Sequence, residues 1–138
     1  GEPWFVAGKD MARNVLIVHG MEGLDEISVS APTLVGEVRD GEGREYRLTP
    51  EDVGLPLHAA SAIRAANVED SKAILLGALN GTIPAARDIV AFNAGASLYV
   101  AGVAESLANG VERALDVIAN GAATRKLDAF VERTRVWL

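Results

Sequence analysis

Four branched aliphatic residues in a row, Val15-Leu16-Ile17-Val18, bounded by Asn14 and Gly20, constrain this chain more than any other feature. An unbroken apolar run with turn residues at both ends reads as a β-strand buried on both faces. Such a strand needs neighbours to pair with and helices to cover it. The sequence "HGMEGLDEIS" follows at once, so the strand runs into a Gly-rich loop over residues 20 to 26 that ends in two adjacent carboxylates, Asp25 and Glu26.

The neighbours are legible downstream. In "TLVGEVRDGEGREYRLTPEDVG" two alternating segments flank "DGEG", where Gly supplies the positive φ of a tight turn, so a β-hairpin is expected. Thr49-Pro50-Glu51-Asp52 is a helix-start signal, with a capping Thr, Pro at the first position and acids at the positive end of the dipole. From residue 69 the periodicity is helical. One helix closes at Asn80-Gly81, and the next follows Pro84 with Ile89, Phe92, Ala96, Tyr99 and Val103 as its apolar stripe. Gly95 and Gly102 inside that stripe cost roughly 1 kcal/mol each relative to Ala, which points to a close neighbour there. A third helix after Ser106 turns Leu107, Val111, Leu115 and Ile118 inward and stops at Asn120-Gly121. The last carries Leu127, Phe130 and Val131 on one face.

Residues 1–13 are harder. A strand at "WFV" could not run parallel to "NVLIV", because a parallel crossover takes about a dozen residues and only "AGKDMAR" intervenes. We therefore expect a short helix through "WFVAGKDMA". The expected fold is α/β: a buried strand plus a β-hairpin, with four C-terminal helices packed on the sheet.

With 138 residues the chain is one domain, and 49% apolar against 23% charged residues is a globular balance. A net charge of −6 gives no general attraction to nucleic acid or anionic lipid. The absence of cysteine excludes disulfides and thiolate metal sites. The most apolar stretch, residues 84 to 104, is interrupted by Arg87, Asp88, Asn93 and Ser97, so no membrane span is expected. Glu2 and Asp10 sit where a signal peptide would need a basic start and an apolar run. The default reading is a cytoplasmic protein.

Two chemistries compete for the opening motif. An apolar strand ending in His-Gly resembles an oxyanion-hole segment of α/β-hydrolases, but that requires a Gly-x-Ser-x-Gly elbow and a later histidine. No such elbow occurs, and His58 precedes every plausible downstream serine. We reject it. The alternative uses Asp25 and Glu26, which on an irregular loop can converge on one ion. Magnesium takes oxygen ligands and commonly needs only one or two carboxylates plus substrate phosphates. By composition alone, most adjacent acids are simply solvated.

The segments "VLIVHGMEGLDEISVSAPTLVGEVRDGEGREYRLTPEDVGL" and "NAGASLYVAGVAESLANGVERALDVIANGAATRKLDAFV" together resemble the C-terminal part of the anthranilate phosphoribosyltransferase family, over about residues 14 to 134. The resemblance implies transfer of a phosphoribosyl group from phosphoribosyl pyrophosphate to anthranilate, in tryptophan biosynthesis, with Mg2+ as cofactor. By match to the family motif, Asp25 and Glu26 are implied as metal ligands, and His19 and Gly20 as the strand end on the substrate side. No catalytic nucleophile is implied. Ser28, Ser30 and Thr33 read as loop caps, Asn93, Ser97 and Tyr99 as packing or helix–helix hydrogen bonds, and Arg44, Glu45 and Arg47 as solvated hairpin positions.

The departures concern the upstream half of the family enzyme. Its Gly-Thr-Gly type phosphate loop, its Lys-His-Gly-Asn segment and its anthranilate-binding Asn and Arg have no match here. We expect residues 1–13 to be an altered or truncated start, and residues 14–138 a single α/β domain. The expected partners besides substrates are a missing N-terminal half, which would complete the site, or a homodimer partner. A related nucleoside phosphorylase is disfavoured, since its ligand contacts would also lie upstream. The non-enzymatic alternative is an inactive fragment or interaction module that retains the family core.

Overall fold

The computed structural model describes residues 5–10 and 14–135. Strands β1 (Phe5–Asp10), β2 (Asn14–Gly20), β3 (Thr33–Arg39) and β4 (Glu42–Leu48) form one antiparallel sheet, each beside its neighbour in sequence. The helix expected through "WFVAGKDMA" is thereby corrected over residues 5–10, and the remainder of that stretch lies outside the described residues. A parallel crossover was the only obstacle to a strand. An antiparallel pair needs just a short turn, and β1 sets Phe5 against Val18 and Asp10 against Asn14.

Asp40 and Gly41 join β3 to β4 with φ of 51° and 86°, the two left-handed residues of a type I′ hairpin. Pairing places Leu16, Glu37 and Arg44 in one row across the sheet, and Val18, Val35 and Tyr46 in the next. This is the face turned to the core: Leu16, Val18, Thr33 and Val35 are essentially fully buried. Val15, Ile17 and Leu34 on the opposite face are only half-buried. The expectation of a strand sealed on both faces is corrected accordingly, because antiparallel sheets can be covered on one side.

Helices α1 (Val68–Leu79), α2 (Pro84–Val100), α3 (Leu107–Ala119) and α4 (Ala122–Thr134) account for the four expected. The chain between β4 and α1 makes two 3-10 turns. At the first, Asp52 accepts hydrogen bonds from the backbone N–H (2.8 Å) and hydroxyl (3.0 Å) of Thr49. Asn67 and Ser106 cap α1 and α3 by accepting from Asp70 N–H (2.8 Å) and Asn109 N–H (3.1 Å). Helix α2 lies against the sheet, and its Ile89, Phe92, Ala96 and Tyr99 join the sheet residues and Val111 in the main core. Val103 falls beyond the end of α2 and is exposed, and Gly102 serves the turn after the helix with φ of 71°. On α4, Phe130 is 64% exposed, so the apolar face expected there remains largely open. No single helix among the described residues is long and apolar enough to cross a membrane.

The close approach expected at Gly95 is real. An added Cβ there would lie 2.5 Å from Val111 N and 2.7 Å from the Gly110 carbonyl carbon, so α2 and α3 cross with their backbones in contact. Near the hairpin end of the sheet, Glu37 is 3% exposed and its carboxylate accepts from Tyr99 Oη (2.7 Å), Tyr46 Oη (2.9 Å) and Arg44 Nη2 (2.8 Å). Arg39 donates to Tyr99 Oη at 2.7 Å. Tyr99 therefore joins α2 to the sheet rather than to another helix. Arg44 is solvated as expected, yet it covers the buried carboxylate.

Candidate active-site loop at the end of strand β2

The loop after β2 is built from its own backbone and then nailed to the core. Gly20 N–H donates to Leu24 O (3.1 Å), Gly23 N–H to Gly20 O (2.8 Å), and Met21 N–H to Pro32 O (3.0 Å). Leu24 packs against the core, and Ile27 and Val29 are buried within it. Asp25 and Glu26 are left between two anchored side chains and are both exposed. Apolar anchors on either side of a polar pair force the pair outward, and this local pattern turns an ordinary acidic dipeptide into a presented one.

Three polar clasps hold the loop. Asn93 of α2 grips Ile27 from both sides: Ile27 N–H donates to Asn93 Oδ1 (3.0 Å), and Asn93 Nδ2 donates to Ile27 O (2.9 Å). Glu22 collects the hydroxyls of Ser28 and Ser30, the latter at 2.7 Å. Ser28 Oγ in turn accepts from the N–H groups of Ser30 (2.9 Å) and Ala31 (3.2 Å), while Ser28 N–H donates to Thr33 Oγ1 (3.0 Å). These contacts agree with the loop-cap reading of the three hydroxyl residues. The third clasp is His58, whose backbone N–H donates to Val29 O (2.8 Å) and whose Nε2 lies 2.7 Å from Asp88 Oδ2. Asp88 is fully buried on α2, and Arg87 bonds its other oxygen at 2.7 Å.

Glu26 borders a largely apolar cavity of about 340 Å³ between α1 and α2, lined by Ile63, Ile74, Leu79, Ile89 and Val90. Partial desolvation where the exposed Glu26 side chain borders this wall, and secondarily the charge of Asp25, push its carboxyl above its ordinary value. Two like charges side by side, one beside apolar surface, are relieved by a cation. Their oxygen-only donor set fits Mg2+, which accepts a site with two protein carboxylates and leaves its other positions to water or phosphate. Among the described residues no third His, Cys, Asp or Glu joins them.

Of the other candidates, His19 is buried at 7% exposure, and both backbone polar groups of Gly20 are engaged inside the loop. The sequence does not by itself assign the roles of Glu22, His58 and Asp88, and Asn93, expected to serve packing or helix–helix hydrogen bonds, bonds the loop instead. A charged residue and an amide within an apolar helix were the available signal: each demands a partner when buried.

A sequence profile described as "Glycosyl transferase family, a/b domain" matches residues 8–124. The chain belongs to this family. Among glycosyl transferase relatives, the anthranilate phosphoribosyltransferase of Xanthomonas axonopodis pv. citri (strain 306) is 52% identical over 124 residues, covering 90% of this chain and 36% of the relative. The solved anthranilate phosphoribosyltransferase from Thermus thermophilus superposes with a TM-score of 0.76 at 38% identity, over 87% of this chain and 35% of that one. That of Saccharomyces cerevisiae, solved in complex with PRPP and Mg, gives a TM-score of 0.71 over 85% of this chain and 34% of that one; at 24% identity it speaks to the fold alone. The chain thus spans about a third of the length of the curated relatives it matches.

Proposed function

We propose that this chain is the part of a cytoplasmic anthranilate phosphoribosyltransferase that presents Asp25 and Glu26 to Mg2+ and the pyrophosphate of phosphoribosyl pyrophosphate, for transfer of the phosphoribosyl group to anthranilate. The observation that carries this reading is the exposed carboxylate pair held between Leu24 and Ile27 at the end of β2, in a chain so similar to enzymes of that name.

The residues contribute by holding and orienting. Asp25 and Glu26 would be the protein ligands of the metal, and bound Mg2+ would neutralise charge on the departing pyrophosphate. Leu24 and Ile27 keep the loop from collapsing, and Glu22 with Ser28 and Ser30 fixes its return path. His19 and Gly20 belong to the substrate side of the same proposal, Gly20 through backbone shape. Nothing in the loop needs to act as a covalent nucleophile, since such a transfer rests on positioning and electrostatics. The phosphate cradle and anthranilate contacts are assigned to the two thirds of the enzyme that this chain does not span.

The test mixes this chain with a polypeptide supplying the upstream two thirds of a close relative and follows consumption of anthranilate. Magnesium-dependent turnover is expected, falling about 100-fold in Asp25→Ala. A well-folded complex with no turnover, or turnover indifferent to Asp25, would favour the inactive-module reading instead.

A further inference from the structure

We propose that Asn93 is a positioning residue that fixes the direction in which Asp25 and Glu26 project, a role toward the metal that rests on the reading above. Ile27 follows Glu26 directly, and its two backbone polar groups are both held by the Asn93 carboxamide, at 3.0 and 2.9 Å. One side chain thus replaces a whole strand neighbour. The carboxamide is itself oriented, because Nδ2 also donates to Ile89 O at 3.0 Å, one turn back on α2. Its second amide hydrogen leaves no rotational choice that keeps all three bonds.

The placement explains why an amide is tolerated beside Ile89, Phe92 and Ala96. Those neighbours are buried, and a polar residue among them is costly unless its bonds are made. Two of its three bonds go to the backbone of the loop 66 residues earlier, so the frame of α2 is passed directly to the carboxylate pair. Asn93 does not ionise, so this grip does not depend on pH. Residues that orient metal ligands without touching the metal typically alter affinity about 10- to 100-fold when removed.

Amide hydrogen exchange and Mg2+ titration of the chain test this in Asn93→Leu, in Asn93→Ala, which adds no bulk, and in Val111→Ala, a truncation on α3 within the same core that leaves the Asn93 carboxamide in place. Exchange at Ile27 should accelerate about tenfold in either Asn93 variant while Val18 and Val35 amides keep their protection. The Mg2+ midpoint should rise about tenfold in the Asn93 variants and stay unchanged in Val111→Ala. Unchanged Ile27 exchange, or Mg2+ midpoints moved no further than by Val111→Ala, overturns the proposal. An unaltered chain that binds no Mg2+, with Ile27 protection still dependent on Asn93, defeats the metal reading of the carboxylates and still supports Asn93 as the residue that fixes them.

Discussion

Gly110→Ala is expected to destabilise the chain by about 3 kcal/mol, at the upper end of what overpacking costs. On an exposed helix the same change would stabilise by up to about 1 kcal/mol through helix propensity. Sterics reverse the sign here. The new methyl would lie 2.8 Å from the Gly95 carbonyl carbon and closer still to its oxygen, and backbone cannot swing aside as a flexible side chain can. Helices α2 and α3 would have to separate, opening the core between Phe92, Ala96 and Val111. Urea denaturation of the variant checks this, and a midpoint equal to that of the unaltered chain would show that the crossing is looser than described.

Glu37→Ala should cost about 2 to 3 kcal/mol, because it strips the acceptor from Tyr46 and Tyr99 in a buried setting. Arg44 lies mostly in solvent, so its share of the loss is small. The same group predicts a pH dependence. Burial alone would raise the Glu37 carboxyl, but hydrogen bonds from Tyr99, Arg44 and Tyr46, with the charge of Arg44, outweigh it and hold the group below its ordinary 4.5. The unfolded chain therefore takes up this proton first as the solution is acidified. Its stabilisation is complete above about pH 4.5 and is lost as pH falls through the depressed folded value. Unfolding followed from pH 7 down to pH 3 should show a decline that is shallower in Glu37→Ala. Parallel curves for the two proteins would contradict the assignment.

The parts of the fold that were legible in the sequence are those written locally. Asp40-Gly41 announces its own turn, and Asn80-Gly81, Ser106 and Asn120-Gly121 bound helices through nearest neighbours. Strand β1 was missed because its pairing had to be argued from connection length, and only the parallel case was weighed. The site divides the same way. Asp25 and Glu26 are a weak motif by composition and gained meaning from the resemblance of their surroundings. The residues that hold them were not legible, since Asn93 reaches back 66 residues to Ile27 and His58 lies 30 residues from Asp88. Burial of a polar group states that a partner exists without saying where in the chain it is.

The central claim is that the loop after β2 carries the metal-binding half of a phosphoribosyl pyrophosphate site. Calorimetric titration of phosphoribosyl pyrophosphate into the chain complexed with a polypeptide supplying the upstream two thirds of a close relative, with and without Mg2+, tests it most directly. The account predicts saturable binding that requires Mg2+ and disappears in Asp25→Ala while the fold of that variant is unchanged. Binding that is equally strong without Mg2+, or equally strong in Asp25→Ala, would contradict it.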